Sequence, residues 1–335
     1  MKQVGLIILL LILVGCSTRQ SDEVVIYTAL DEMFSEPVLN EFTKKTGVKV
    51  KIVPDTEAAK TVGLVNRLIE EKNHPQADVF WNNEIGRTLV LKQKGILAPY
   101  FPQNAADLPE IYRDPEGYWT GFAARARVIL YNTNLIKENE APQSIFDLIK
   151  PEYQGKVAIA RPLFGTTATH AAALFAVLGE ERTKKFFLDL KTNKCMVVAG
   201  NAMARNMVME GEVPICLTDT DDANGAFLKN KPVKMVYPDQ GESEIGTLVI
   251  PNSIALVKNG PNPENAKKLI EYVVSAEAEQ KLAHCPSAQF PLRNNLTPYS
   301  ELFDLKKIKV MKIDYADIAD WLPRSAQFIQ EEFLK

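Results

Sequence analysis

The chain has 335 residues, 46% hydrophobic and 24% charged, with 39 Lys and Arg against 42 Asp and Glu, for a formal net charge of -3. That faintly acidic balance carries no footprint of a nucleic-acid partner. The length exceeds what one hydrophobic core serves comfortably, so two lobes are expected.

Residues 1–16 read Met1-Lys2, an apolar run Val4 to Val14, then Gly15-Cys16. A membrane-spanning helix needs about 20 apolar residues, so this run is too short to span and instead has the charged start and apolar middle of a secretory signal. Leu13-Val14-Gly15-Cys16 resembles a bacterial lipobox, which implies a signal peptide over 1–15 and a lipid anchor on Cys16. Residues 16–23 then form a short polar tether. An exported chain is free to form disulfides, but Cys195, Cys216 and Cys285 allow at most one bridge among them. Their spacing, and that of His74, His170 and His284, does not suit a soft-metal site. His170, just after Thr166-Thr167-Ala168-Thr169, reads as a residue near a helix start.

Val24 to Thr28 is a continuous apolar run of strand length, the pattern of a buried parallel strand, and it stops at Ala29-Leu30-Asp31. Phe34, Val38, Leu39 and Phe42 recur at helical spacing until Gly47, and Val48, Val50 and Ile52 alternate as a second strand. A helix through Val62, Val65, Leu68 and Ile69 ends before His74-Pro75, and Ala77 to Trp81 forms a third strand running into Asn82-Asn83-Glu84. Ligands of open α/β sheets collect beyond the carboxyl ends of strands, which places Asp31 and Glu84 at one crevice.

From Gly121, the run Ala123-Ala124-Arg125-Ala126-Arg127 leads into Val128 to Asn132 and is expected to carry the chain into a second lobe. There, Ile145–Ile149 reads as helical, Lys156–Ala160 as a strand, and Thr167–Leu178 and Lys184–Leu190 as helices. Gly165-Thr166-Thr167 offers amides and hydroxyls that seat an anion. Ile215–Leu217 is a strand that runs into Asp219, Asp221 and Asp222, three acids in four positions. A buried carboxylate must be paired or protonated, so these acids are expected where the chain turns toward solvent or a cleft. The plainer alternative is that Asp219 or Thr220 caps a short helix starting near Asp222. A return path through Gly246–Pro251 and Ser253–Val257 makes a second crossover and hence a two-strand hinge. A helical segment with Ala266, Leu269, Ile270, Val273 and Val274 on one face follows, closing at an irregular stretch around Pro286 to Pro298. The lobes are therefore expected at 24–123 with 253–335, and at 124–252.

Taken in order, Val-Val-Ile-Tyr-Thr-Ala at 24–29, Ala-Asp-Val-Phe-Trp at 77–81, Lys-Gly-Ile-Leu-Ala-Pro at 94–99, Ala-Arg-Ala-Arg-Val at 124–128 with Tyr131-Asn132, and Gly-Glu-Val-Pro at 211–214 resemble the ferric-ion binding proteins of bacterial ABC importers. The resemblance covers nearly the whole mature chain. It implies an α/β, two-lobed type II periplasmic-binding-protein fold, each lobe a mostly parallel sheet flanked by helices. It also implies a monomeric, non-catalytic receptor that hands its ligand to a membrane permease, without a resident cofactor; a bound metal ion, iron in the family, would be cargo.

Residue by residue, the resemblance keeps Glu84 as a carboxylate ligand but puts Asp31 where the family has a His, and Asp221 and Asp222 where it has adjacent tyrosines. Asn201 and Thr166 or Thr167 match residues that hold an accompanying anion in the family, and Asp219 stands where a second Asn is expected; Tyr27 lies in the first motif and joins the ligand-binding set. An all-carboxylate group of Asp31, Glu84, Asp221 and Asp222 is a hard-cation site. The alternative ligand is a small organic zwitterion or anion such as a phosphonate or phosphate ester. Some acids would then hold its ammonium, and Arg125, Arg127, Thr166 and Thr167 its anionic group; alternatively the arginines brace the hinge as ion pairs. A hydrolase is the remaining class, but no Gly-x-Ser-x-Gly, His-Glu-x-x-His or P-loop is present, and two carboxylates alone do not make a glycosidase.

Overall fold

The computed structural model describes residues 22–55 and 62–335; the expected signal segment and Cys16, the expected lipid site, lie outside the described residues. Strand β1 (Glu23–Thr28) pairs in parallel with β2 (Lys49–Pro54) on one side and β3 (Val79–Asn82) on the other. Helix α1 (Glu32–Thr46) buries Val38, Leu39 and Phe42 and stops at Gly47, whose φ of 76° is the left-handed conformation that glycine adopts without strain. β2 is an edge strand, which is why its alternation leaves Lys49 and Lys51 exposed. Helices α2 (Val62–Glu70) and α3 (Gly86–Gln93) and the short strand β4 (Leu97–Ala98) complete this half.

β5 (Thr120–Asn132) is thirteen residues long and buried throughout. Its first part, to Ala126, pairs antiparallel with β10 (Val249–Val257). From Arg127 it pairs instead with β8 (Ile215–Asp219) and β9 (Val233–Val236). The chain thus passes from one half of the sheet to the other within a single strand. The second half contains β6 (Val157–Ala160), α4 (Gly165–Leu178), α5 (Glu180–Thr192), β7 (Met196–Val198), α6 (Asn201–Glu210), then β8 and α7 (Thr220–Leu228). Among the described residues the strands run in the order β2-β1-β3-β10-β5-β8-β6-β7. Ile145–Ile149, expected as helix, is a 3-10 turn closed by a capping box in which Ser144 and Asp147 serve each other's backbone.

The two crossing strands are irregular at the same level. Pro251 faces Ala124 and Asn252 faces Phe122, so Ala123 is an extra residue in β5. Ala123 has a φ of 37°, uncommon for a residue with a Cβ. Its N–H donates to Glu279 Oε1 at 2.9 Å, and its carbonyl accepts from the Asn252 amide. Glu279 in α9 (Ala276–His284) is itself buried and accepts from Leu292 N and from Arg293 Nη1 at 2.7 Å. Before it, α8 (Pro263–Val273) buries Ala266, Leu269, Ile270 and Val273.

The irregular stretch around Pro286 to Pro298 does not close the helical part. A further helix, α10 (Tyr315–Phe328), follows it and packs on α4 and α3. Trp321 stacks on Phe175 at 5.3 Å, and Phe328 meets Phe175 and Phe187 edge-on. Of the stretch 253–335, grouped with the first lobe from the sequence, β10 and α8 pack on β1, β3 and α1, and α9 on α1 and β5, while α10 bridges α3 of the first half and α4 of the second, where its aromatic residues cover Phe175. The three cysteines of the described residues are unbridged.

Removing one partner of a buried ion pair strands the other charge, at about 3–5 kcal/mol. Glu279→Ala is expected to destabilise the protein by about that much in denaturant titration, whereas Lys307→Ala, which removes an exposed pair with Glu301, should cost under about 1 kcal/mol.

A charge-matched candidate ligand site at the strand ends

Parallel neighbours β7, β6 and β8 end at one edge of the sheet, and α6, α4 and α7 start there. Helix amides and partial positive charge thus gather where ligands of open α/β sheets collect. β1 and β3 end with Thr28 and Asn82, and Asp31 and Glu84 follow them. Arg125 and Arg127, two apart on β5, project from one face of the strand.

Asp219 is the last residue of β8 and sits opposite Arg127 in the ladder. The strand runs two residues further than expected, and Asp219 does not turn toward solvent: it is 1% exposed. It tolerates this position because its oxygens accept from Arg127 Nη1 at 2.7 Å, Asn201 Nδ2 at 2.9 Å and the Thr166 hydroxyl. It occupies the N-cap position of α7, but its side chain makes no capping bond, and the helix begins at Thr220 rather than near Asp222. Thr167 donates to Asn201 Oδ1 at 3.2 Å.

Asp221 and Asp222 lie in the first turn of α7. Arg125 Nη1 reaches Asp221 Oδ2 at 2.6 Å, and Arg205 Nη1 reaches Asp222 Oδ1 at 3.3 Å. Thr218 donates to Asp222 Oδ2 at 2.9 Å. Burial, helped by the charges of Asp221 and Asp219 and opposed by Arg205, pushes the Asp222 carboxyl up to about 7. One carboxylate oxygen from each of Asp219, Asp221 and Asp222 lies within 4.8 Å of the others, a grouping able to hold a metal ion. The arginines of the sequence reading are thus ion-paired, each to its own acid, and Arg205, which sequence spacing gave no reason to notice, completes the set.

The remaining sequence candidates are less central. Asp31 is exposed at the start of α1, with its charge felt by Arg125. Glu84 is fully buried and committed: it accepts from Asn82 Nδ2, from the Arg87 N–H, and from Thr169 Oγ1 on α4 at 2.7 Å. Tyr27 is directed away from the acidic turn. Its hydroxyl donates to Glu71 at 3.0 Å, Arg67 stacks over its ring, and burial raises it to about 12. His170 lies inside α4, held well below its usual pKa by burial and by Arg127, so it stays neutral.

A sheet crossed by two strands, with strand ends from both halves meeting at one face, is the type II periplasmic-binding fold. Iron-bound HitA from Pseudomonas aeruginosa superposes with a TM-score of 0.83 at 22% identity, covering 92% of this chain and 98% of that one. Apo ferric ion-binding protein A of Pasteurella haemolytica gives 0.82 at 26%, covering 92% and 97%. Residues 76–319 match the bacterial extracellular solute-binding proteins, and the chain belongs to that family. Similar relatives are iron uptake protein A1 of Synechocystis, 29% identical over 79% of this chain and 74% of its own, and the major ferric iron-binding protein of Neisseria meningitidis, 23% identical over 89% of each. A putative 2-aminoethylphosphonate-binding periplasmic protein of Salmonella typhimurium is 27% identical over 81% and 77%.

Because burial raises the Asp222 carboxyl, the folded protein keeps a proton over a pH range in which the unfolded chain has lost it, and stability declines with rising pH across that range. That stability is present below the unfolded value near 4 and is lost as pH rises through about 7. In chelator-treated protein the melting temperature is expected to fall as pH rises from about 4 to about 7, and Asp222→Asn should flatten that slope, as read by calorimetry.

Proposed function

We propose that the chain is an extracytoplasmic solute-binding lipoprotein of an ABC importer, without catalytic activity, that carries a hard metal cation of the iron type. The observation that carries this reading is the cluster of carboxylate oxygens from Asp219, Asp221 and Asp222 at the ends of β8 and α7. Hard cations take oxygen ligands, and ferric-binding relatives align over most of the chain. Asp221 and Asp222 are the principal ligands in this reading, with Asp219 behind them and Asp31 supplied from the other side of the cleft. Glu84 is then a brace between α3 and α4 more than a ligand. The two lobes close on the cargo, which passes to a membrane permease, and lipid on Cys16 keeps a monomeric receptor at the membrane.

A second reading is favoured by the arginines. Arg125, Arg127 and Arg205 alternate with the acids, which suits a ligand bearing both charges, and the Salmonella relative is described as binding such a molecule. Here the acids would take an ammonium group, while Arg125, Arg127, Thr166, Thr167 and Asn201 take a phosphonate or phosphate ester.

Metal analysis and native mass measurement of gently purified protein separate the readings. Iron retained at one ion per chain, with Asp221→Asn and Asp222→Asn each lowering ferric affinity by at least about tenfold (about 1.4 kcal/mol), is the expected result. Full affinity in both variants would sink the metal reading, and a retained organic zwitterion without metal would install the second. Cys16→Ala is expected to release the protein from membrane fractions; unchanged membrane association would remove the anchor from the proposal.

A further inference from the structure

Of the three arginines facing the acidic turn, Arg125 alone also reaches the loop after β3. Its Nη1 bonds Asp221 at 2.6 Å and its Nη2 donates to the main-chain oxygen of Asn83 at 2.7 Å. Arg127 is fully enclosed by Asp219, Thr166, Asn201 and the Leu217 carbonyl. Arg205 approaches Asp222 from α6 and shares its guanidinium with Asn206. Arg125, like Arg127, has a buried Nε without a hydrogen-bond partner, and beside Arg125 the Asn83 Oδ1 is buried without one as well. Such groups carry a desolvation cost that a change of partner can relieve.

We propose that Arg125 is a built-in competitor for the cationic ligand. Its guanidinium holds Asp221 and ties it to the Asn83 loop in the ligand-free protein, and a cation entering among Asp219, Asp221 and Asp222 must displace it. This rests on Asp221 being a ligand. The charge argument is direct: a metal ion bound to Asp221 lies within a few ångströms of a guanidinium only 2.6 Å from that carboxylate, and like charges at that range repel strongly in a partly buried site. Arg127 is held on every side, but Arg125, on the part of β5 that pairs with β10, reaches Asp221 across to the second half, and separating the two halves breaks that contact. The work of moving it is subtracted from the binding energy, so the apparent affinity is below the intrinsic one. Arg125 therefore sets a threshold: a cation must be charged and compact enough to outcompete a guanidinium, which selects a multivalent metal ion over a monovalent one.

The test is a luminescence titration with terbium(III), a hard trivalent cation, on the purified full chain in detergent, with small-angle scattering of the metal-free protein. Arg125→Gln is expected to bind terbium at least about tenfold tighter than the wild type and to have a larger radius of gyration without metal. Arg125→Met, which keeps the apolar stem, should do the same if Arg125→Gln does not fold. Equal or weaker terbium binding in the folded variant overturns the proposal, as does loss of 2-aminoethylphosphonate binding on the same substitution, which would make Arg125 an anion contact. Terbium binding that is unaffected by Asp221→Asn would instead overturn the assignment of the site itself, so the two failures are distinguishable.

Discussion

The pair Arg127–Asp219 is the interaction on which the cleft is built. Both groups are buried, and each ion taken from water costs several kcal/mol, more than one contact at 2.7 Å recovers. The balance comes from neighbours: Thr166 at the start of α4 and Asn201 at the start of α6 both donate to the Asp219 carboxylate. One carboxylate thus fixes the register of β5 against β8 and fastens the first turns of two helices to the end of a strand. Asp221 and Asp222 follow within three positions, so their placement is a consequence of that anchor and of the start of α7.

Charge matching then determines what the site can exchange. Asp219, Asp221 and Asp222 face Arg127, Arg125 and Arg205, so the cluster is close to neutral as it stands. An entering cation or anion must release a partner of its own sign, and selectivity lies in which partner is cheapest to release. One fold hosts different ligand sites, and the relatives of this chain include proteins named for iron uptake and for putative 2-aminoethylphosphonate binding.

Much of the scaffold was legible because its physical signals are local. The apolar run Val24 to Thr28, the stripe ending at Gly47 and the crossover from Gly121 to Asn132 all predict elements that the structure contains. The α/β class followed from them. Asp219 was harder: a strand ending in an acid looks like a strand turning to water, and only the ladder partner Arg127, 92 positions away, explains its burial. Arg205 was invisible for the same reason, as its role depends on how α6 meets α7. Tyr27 shares a motif with the site but alternates to the face where Glu71 waits. The tail helix α10 follows an irregular stretch that carries no signal for what comes next.

Two buried charge networks in this protein show opposite degrees of completion. Around Arg293 every guanidinium nitrogen has an acceptor, from Glu279, Asp107, Asn104 and Val274, and Glu279 in turn fastens the irregular residue Ala123 where the two crossing strands meet. Nothing there gains by changing partners, which suits a pivot. In the cleft, Arg125 Nε, Arg127 Nε and Asn83 Oδ1 are buried without partners, and Asp222 is pushed to about 7. Natural sequences tolerate such incomplete satisfaction mainly where function requires it. Unsatisfied atoms occur elsewhere too, Gln289 Nε2 beside the bulge among them, but at the strand ends they belong to charged groups that face one another. There the acidic turn and its arginines can exchange one set of charges for another, while the saturated Arg293–Glu279 pair holds the bulge.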